Sequence, residues 1–362
     1  MRFFTYNKLS HYPLKKQVPP HILQLEKVQN NKIEFVAILL YQYSMKKILH
    51  VLKIILLSAA VFLLVLAAGL TIYNRIKFSD FYKSRTIIAK NPGLWDNYVT
   101  QGLTYNDKQN YFATCGYMKN GKTSRIYTVE RDSQKISCYE LLSEAKPFTG
   151  HAGGLQYDDG KFYLANGEEG LYIFSAEELK TDSSKIEIGT PVKMNDIVCA
   201  FVFVDRDFIY TGEFAHEPYY ICKHPVTHNN TVHTALMGKY AKNDVSKPVA
   251  YYSLPDKVQG FATDAEGNIY LSTSWGLSPS CFLFYSKDSV IKMNENYNGV
   301  PLYFLGDPTS VLFAPSFSED LDIVDGKIIS CTEGASNKYI IGKFYFDYYI
   351  SALKPETFIN EQ

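Results

Sequence analysis

Val99-Thr100-Gln101-Gly102-Leu103 and, after a turn, Tyr111-Phe112-Ala113-Thr114-Cys115-Gly116 form the stretch that decides the fold, because the pattern returns along the chain. Gly153-Gly154-Leu155, Cys199-Ala200-Phe201, Gln259-Gly260-Phe261 and Pro315-Ser316-Phe317 repeat its short anchor. Counted from Gly102, Gly154, Ala200, Gly260 and Ser316, the copies stand 52, 46, 60 and 56 residues apart. A period of that size belongs to propeller blades and related β arrays.

Each anchor is followed by a second apolar run that ends in small or polar residues: 111–116, 162–167, 209–213, 269–274 and 328–334. Asp159-Gly160, Glu266-Gly267 and Asp325-Gly326 precede three of these runs with hairpin-turn chemistry. Third strands are read at 125–129, 171–174 and 282–285, and fourth strands at 135–142 and 249–254. The expected fold is all-β: a five-bladed propeller of four-stranded blades over residues 99–355. Residues 76–98 serve as linker and residues 356–362 as a tail. A propeller closes by docking its last blade on its first, so residues 344–350 or 86–90 are expected to complete the final sheet.

Composition agrees, since 15% of the chain is aromatic, with 29 Tyr and 23 Phe, and such residues favour half-buried pleated surfaces. Lys plus Arg and Asp plus Glu are 37 each, which leaves no basic field to hold nucleic acid.

Residues 54–73, IILLSAAVFLLVLAAGLTIY, carry no charge. A helix of about 20 apolar residues crosses a hydrocarbon core of about 30 Å. A secretory signal is the competing reading, with Ala67-Ala68-Gly69 as its cleavage point, but its apolar region usually has only about 7–15 residues. The length favours a signal-anchor over residues 45–75 and a membrane contact through residues 54–73. Met45-Lys46-Lys47 has the basic character of a translation start, which would leave residues 1–44 outside the natural product. The lysines and arginines flanking the span favour the opposite orientation. Long domains, however, translocate largely regardless of charge, and the expectation is a single-pass cell-membrane protein with its C-terminal domain outside the cytoplasm.

Val99–Leu103, the run 112–117 and Ser124-Arg125-Ile126 together resemble the opening blade of the glutamine cyclotransferase family, five-bladed propellers that cyclise N-terminal glutamine. The repeated Gly-apolar anchors are also similar, more generally, to gluconolactonase and strictosidine-synthase-like propellers. The second blade departs from the cyclotransferase pattern, with Thr149-Gly150-His151-Ala152-Gly153-Gly154 where that family carries a Glu-Gly element.

In a propeller, the loops entering the first strands and those leaving the second strands open on one face. Gln101, His151, Gln259 and Pro315 from the anchors, and Arg125, Glu168, Glu213, His216, Trp275, Glu333 and Lys338 from the other loops, are therefore assigned to one channel mouth. His151, in a Gly-rich turn, and the carboxylates Glu213 and Glu333 are the candidate catalytic groups, able to act as base or to share a divalent cation at the mouth. Gln101, Arg125, Gln259, Trp275 and Lys338 are the candidate ligand-binding groups. His216, Cys222, His224, His228 and His233 form a denser cluster, but their spacing fits no zinc pattern and no metal site is assigned. Asn229-Asn230-Thr231 matches a glycosylation acceptor. The cysteines fall on alternate strands, too far apart to bridge, and are expected as buried thiols.

No phosphate loop, nucleophile elbow, metalloprotease helix or nucleotide fingerprint is present in the sequence. Two functions remain. One is a propeller that binds a small molecule, glycan or peptide at its mouth. The other is an enzyme of lactonase or glutaminyl-cyclotransferase type, with His151 or a loop carboxylate as general base. Deleting residues 46–73 is predicted to release a soluble domain, while deleting residues 1–44 leaves the protein in the membrane fraction. Recovery of the 46–73 deletion from carbonate-washed membranes would count against the anchor.

Overall fold

The protein is described from a computed structural model, which covers residues 20–180, 183–194, 197–217, 219–220, 225–339, 342–345 and 347–354. The chain divides into two units, Met1–Leu66 and Ala67–Gln362. The described part of the first is a single helix, α1 (Pro20–Lys77), which continues into the second unit. One stretch of it, Asn31–Lys77, is long and apolar enough to cross a membrane, its most apolar 18 residues having a mean hydropathy of 2.8. None of the side chains in that window is buried among the described residues.

The second unit is a five-bladed propeller. Its inner strands are Tyr98–Asn106, Gly154–Asp158, Phe201–Val204, Val258–Thr263 and Ser318–Val324, and each packs beside the next until the fifth returns to the first. Every inner strand pairs antiparallel with the strand that follows it in sequence. The turns between them have the chemistry that the sequence announces: Asp325 and Gly326 take φ of 50° and 70°, the left-handed pair that lets a two-residue hairpin follow the twist of its strands.

The anchors are small because the inner strands crowd the axis. A Cβ on Gly102 would lie 2.5 Å from Leu155 N, and one on Gly260 would lie 2.8 Å from Leu321 N. Neither neighbour can yield, since both are backbone of the adjoining blade. Between the blades, apolar faces interleave: Phe201, Phe203 and Tyr210 of blade three pack with Phe261 of blade four, at ring separations of 5.1–6.5 Å.

Three blades depart from the four-strand expectation, since blade one carries Lys146–Pro147 and Lys185–Glu187 beyond its own four. Blade two has three strands, ending at Leu171–Ser175, because the segment Lys185–Glu187 that could have been its fourth pairs in parallel with Ile136–Ser143 of blade one. Blade three gains two strands, Val300–Leu305 and Val290–Tyr297, lent by an excursion between the third and fourth strands of blade four. Outer strands are thus traded between neighbours, which covers edges that would otherwise stand open.

Of the two segments that the sequence offered for closure, 86–90 serves and 344–350 contributes only its last two residues, since Gly342–Tyr345 is a short helix. In blade five, Tyr349–Leu353 is the third strand and Arg85–Lys90, from the start of the domain, is the fourth. Arg85 and Asp347 form an ion pair whose side chains are almost wholly buried, and Tyr82 and Phe81 of the helix Ser79–Ser84 lie against the guanidinium. Breaking a buried pair on one side alone costs about 3–5 kcal/mol. Truncation after residue 340 removes Asp347 and the third strand together, and is expected to unfold the whole domain in one cooperative step. Loss confined to the last residues, seen as an unchanged main melting transition, would place closure elsewhere.

Candidate functional site at the channel mouth

The inner strands begin, and the second strands end, at one mouth of the channel. There, residues of blades five, one and two form a connected set. Glu333, just past the second strand of blade five, accepts from Gln101 Nε2 at 3.0 Å through one carboxylate oxygen and from Tyr339 OH at 2.7 Å through the other. Lys338 Nζ lies 3.9 Å from Glu333 and donates to Tyr117 OH at 2.5 Å. The Tyr117 ring in turn stacks on His151, with 4.8 Å between centroids. Gln101, His151, Glu333 and Lys338, four of the residues picked from the sequence, are brought together in this way.

Beneath them sits Glu319, on the inner strand of blade five and only 2% exposed. Among the described residues no hydrogen bond reaches it. Burial pushes its carboxyl well above the usual range, and the neighbouring Glu333 pushes it further. Glu333 is raised by burial too, but Lys338, Tyr339 and Gln101 pull it back, so it is the readier of the two to ionise. His151 is exposed at the mouth, with the Tyr117 ring against one face. Desolvation and the Lys338 ammonium lower it to about 4, which leaves the imidazole neutral at physiological pH. The backbone is strained beside this set: Phe317 holds φ at 72°, a left-handed conformation rare for a bulky residue, and its ring lies 4.2 Å from that of Tyr339.

Blades three and four supply an aromatic wall. Trp275 is surrounded by Phe214, His216, Tyr219 and Tyr220, with ring centroids 4.7–5.9 Å away. Tyr219 and Tyr220 are 70% and 50% exposed. Tyr117 is raised by burial and then by Glu333, Glu319 and Tyr220.

The remaining sequence candidates are committed elsewhere. Arg125 spans the outer strands of blade one, meeting Tyr127 OH at 3.2 Å and Glu140 at 3.4 Å. Glu213 is buried, accepting from Leu236 N at 3.2 Å. Gln259 donates to Ser274 O at 3.4 Å, Pro315 is buried between blades four and five, and Glu168 is exposed. His228 and His233 pack on the same Phe304 ring, at 5.3 and 4.0 Å, and His216, 3.7 Å from Asp256, lines one cavity of about 530 Å³ with His233, which bonds Ser253. Cys222 and His224 lie outside the described residues. Among the described residues, no group of three or more His, Cys, Asp or Glu is placed to hold a metal ion. Cys115, Cys199 and Cys331 are buried thiols, with Cys138 and Cys281 half-buried.

Sequence reasoning missed Tyr117, Tyr339, Tyr219, Tyr220 and Glu319. The last had a signal: Ser318-Glu319-Asp320-Leu321-Asp322 puts three carboxylates on a strand that must be interior.

No family model matches the chain, and no curated protein matches it. Among solved structures it is similar to the glutaminyl cyclase of Myxococcus xanthus, with 12% identity over 74% of this chain and 94% of that one and a TM-score of 0.39. It is likewise similar to a gluconolactonase of Xanthomonas campestris, with 14% identity, 68% and 89% coverage and a TM-score of 0.35. A GH43_1 enzyme of Xanthomonas citri gives 11% identity, 77% and 92% coverage and a TM-score of 0.41. At this depth the likeness concerns the general shape and not the chemistry.

The raised carboxyl of Glu319 fixes a pH dependence. A group whose folded pKa exceeds its unfolded value binds more protons when folded, so stability falls as pH rises from about 4.5 through the folded pKa. Glu319→Gln is therefore expected to melt a few degrees above the wild type at pH 8, with the gap closing by pH 4; about 1 kcal/mol moves a domain of this size by about 2–4 °C. Equal melting temperatures at both pH values would show that Glu319 is not held protonated.

Proposed function

We propose that this chain is a membrane-tethered propeller, displayed outside the cytoplasm, that binds a glycan or glycan fragment at the mouth bearing Glu333 and Trp275. The observation that carries the reading is the division of the opening into two unlike walls. On one side Gln101, Glu333, Lys338, Tyr117 and His151 present amide, carboxylate, ammonium, phenol and neutral imidazole within one linked set. On the other, Trp275, Tyr219 and Tyr220 present aromatic faces. A sugar ring has hydroxyls that suit the first wall and an apolar C–H face that suits the second. The α1 helix would hold the domain at the membrane through residues 54–73.

A second reading is favoured by the carboxyl pair. Glu319 kept protonated beside a more acidic Glu333, with neutral His151 close by, resembles an acid and base poised for proton transfer. In that reading the bound molecule is a substrate opened or cyclised by general acid–base chemistry.

His151→Ala and Trp275→Ala are each expected to weaken glycan binding by about tenfold or more, with only a modest loss of stability. Calorimetric titration of the full chain in detergent with oligosaccharides, alongside melting curves, measures both. Unchanged affinity together with a loss of about 3–5 kcal/mol would make the residue structural. Turnover of the oligosaccharide or of a lactone, abolished by Glu333→Gln, would select the second reading.

A further inference from the structure

The segment 91–97, which leads from the closing strand into blade one, meets the short helix Gly342–Tyr345 at a cavity of about 100 Å³. Lys90, Leu94, Trp95, Ala335, Lys343 and Tyr348 line it. Lys343 Nζ donates to Leu94 O at 3.0 Å and lies 3.7 Å from the centroid of the Trp95 ring. Lys90 Nζ lies 5.4 Å from the Tyr348 ring. Each ammonium thus has an aromatic face beside it and, among the described residues, no carboxylate partner.

Among the described residues, the acids nearest in sequence are used elsewhere. Asp347 is taken by Arg85 and by the Tyr348 and Tyr349 N–H groups, and Asp96 accepts from Tyr127 OH at 3.1 Å. Residues 340–346, IIGKFYF, contain no acid at all. Burial, and after it the charge of Lys90, lower the Lys343 ammonium below the ordinary lysine range. Two cations at one small cavity repel each other, and an anion between them would turn that repulsion into attraction.

We propose that this cavity binds a small oxyanion of the phosphate type, with Lys90 and Lys343 as its cationic partners and Trp95 as its outer wall. Lysine meets phosphate as a point charge, without the planar fork that arginine would impose, so two lysines suit a compact tetrahedral group. The cavity is small, about 100 Å³. Because Trp95 is 70% exposed at its rim, a larger molecule carrying that phosphate can lie outside against the ring. The same chemistry is offered by free phosphate and by the headgroup of an anionic phospholipid, and a chain with a membrane-length helix can meet either.

The chain has two tryptophans, so Trp275→Phe leaves Trp95 as the sole indole fluorophore, beside the cavity. The full chain with that substitution, in phosphatidylcholine nanodiscs, is titrated with inorganic phosphate at an ionic strength held constant by chloride. A saturable change in Trp95 emission is expected, weakened by about tenfold or more in Lys343→Gln and in Lys90→Gln and retained in Lys343→Arg. Where the headgroup is the source, free phosphate gives no change, and phosphatidylglycerol in the nanodisc shifts the emission with the same dependence on the two lysines. Unchanged emission in both arms, or a response that survives both glutamine substitutions, overturns the proposal.

Discussion

The inner strand of a propeller blade has a paired neighbour on one side only, so its other edge turns backbone N–H groups towards the axis, where little water can reach them. Asp320 answers that constraint. Its Oδ2 accepts from Leu103 N at 3.1 Å and from Leu155 N at 3.2 Å, backbone donors of blades one and two, while Oδ1 accepts from its own neighbour Leu321 N. Two residues on, Asp322 accepts from Tyr105 N and from Thr104 Oγ1, and the Thr104 hydroxyl passes the link on by accepting from Tyr157 N at 2.9 Å. Blade five therefore holds blades one and two through carboxylates where an extended sheet would use carbonyls. Each buried donor left unpaired would cost about 1–3 kcal/mol. Burial raises Asp320, and the three N–H groups draw it back towards the ionised form.

That solution has a chemical consequence at the mouth. The strand that supplies the axial carboxylates also carries Glu319, one residue before Asp320, and successive residues on a strand point in opposite directions. While Asp320 is spent on backbone donors, Glu319 finds Glu333 and the field of Lys338 and no hydrogen bond among the described residues. The stabilising carboxylates and Glu319 are thus neighbours on one bulged strand, whose register shifts between Ser318 and Leu321. Replacing the strand to tune one would disturb the other.

What the sequence made legible follows from which interactions are local. The anchors of blades one, two and four could be read because steric crowding at the axis demands glycine there, whereas in blade five Ser316 falls before the inner strand and Asp320 takes the place beside Gly260. The turns could be read because Asp-Gly supplies its own geometry. The mouth was half legible: Gln101, His151, Glu333, Lys338 and Trp275 follow from their place in the repeat, whereas Arg125 and Glu213 occupy equivalent places and turn to Glu140 and Leu236. Side-chain direction at a loop depends on long-range packing that no repeat encodes. The traded strands were invisible for the same reason, since the parallel pairing of Lys185–Glu187 with blade one joins segments whose sequences carry no mark of each other.

The opposite end of the channel supports the choice of mouth. A bowl of about 850 Å³ opens there, larger than anything around Glu333 would require, and it is rich in acid: Asp107, Asp158, Asp159, Asp264, Glu266 and Asp325. Size and charge alone would nominate it. Most of these carboxylates, however, already have work within the fold. Asp264 holds Glu266 N, Asn268 N and Tyr270 OH in its turn, Asp159 and Asp325 pair with Lys108 and Arg131, and Asp158 pairs with Lys242. Hairpin turns need Asp at these positions whether or not a ligand comes. At the other mouth Glu333 is paired as well, with Gln101, Tyr339 and Lys338, and the difference lies in Glu319, which no turn needs and which no hydrogen bond reaches among the described residues. Groups whose burial the fold does not require are the ones for which a ligand is the better explanation.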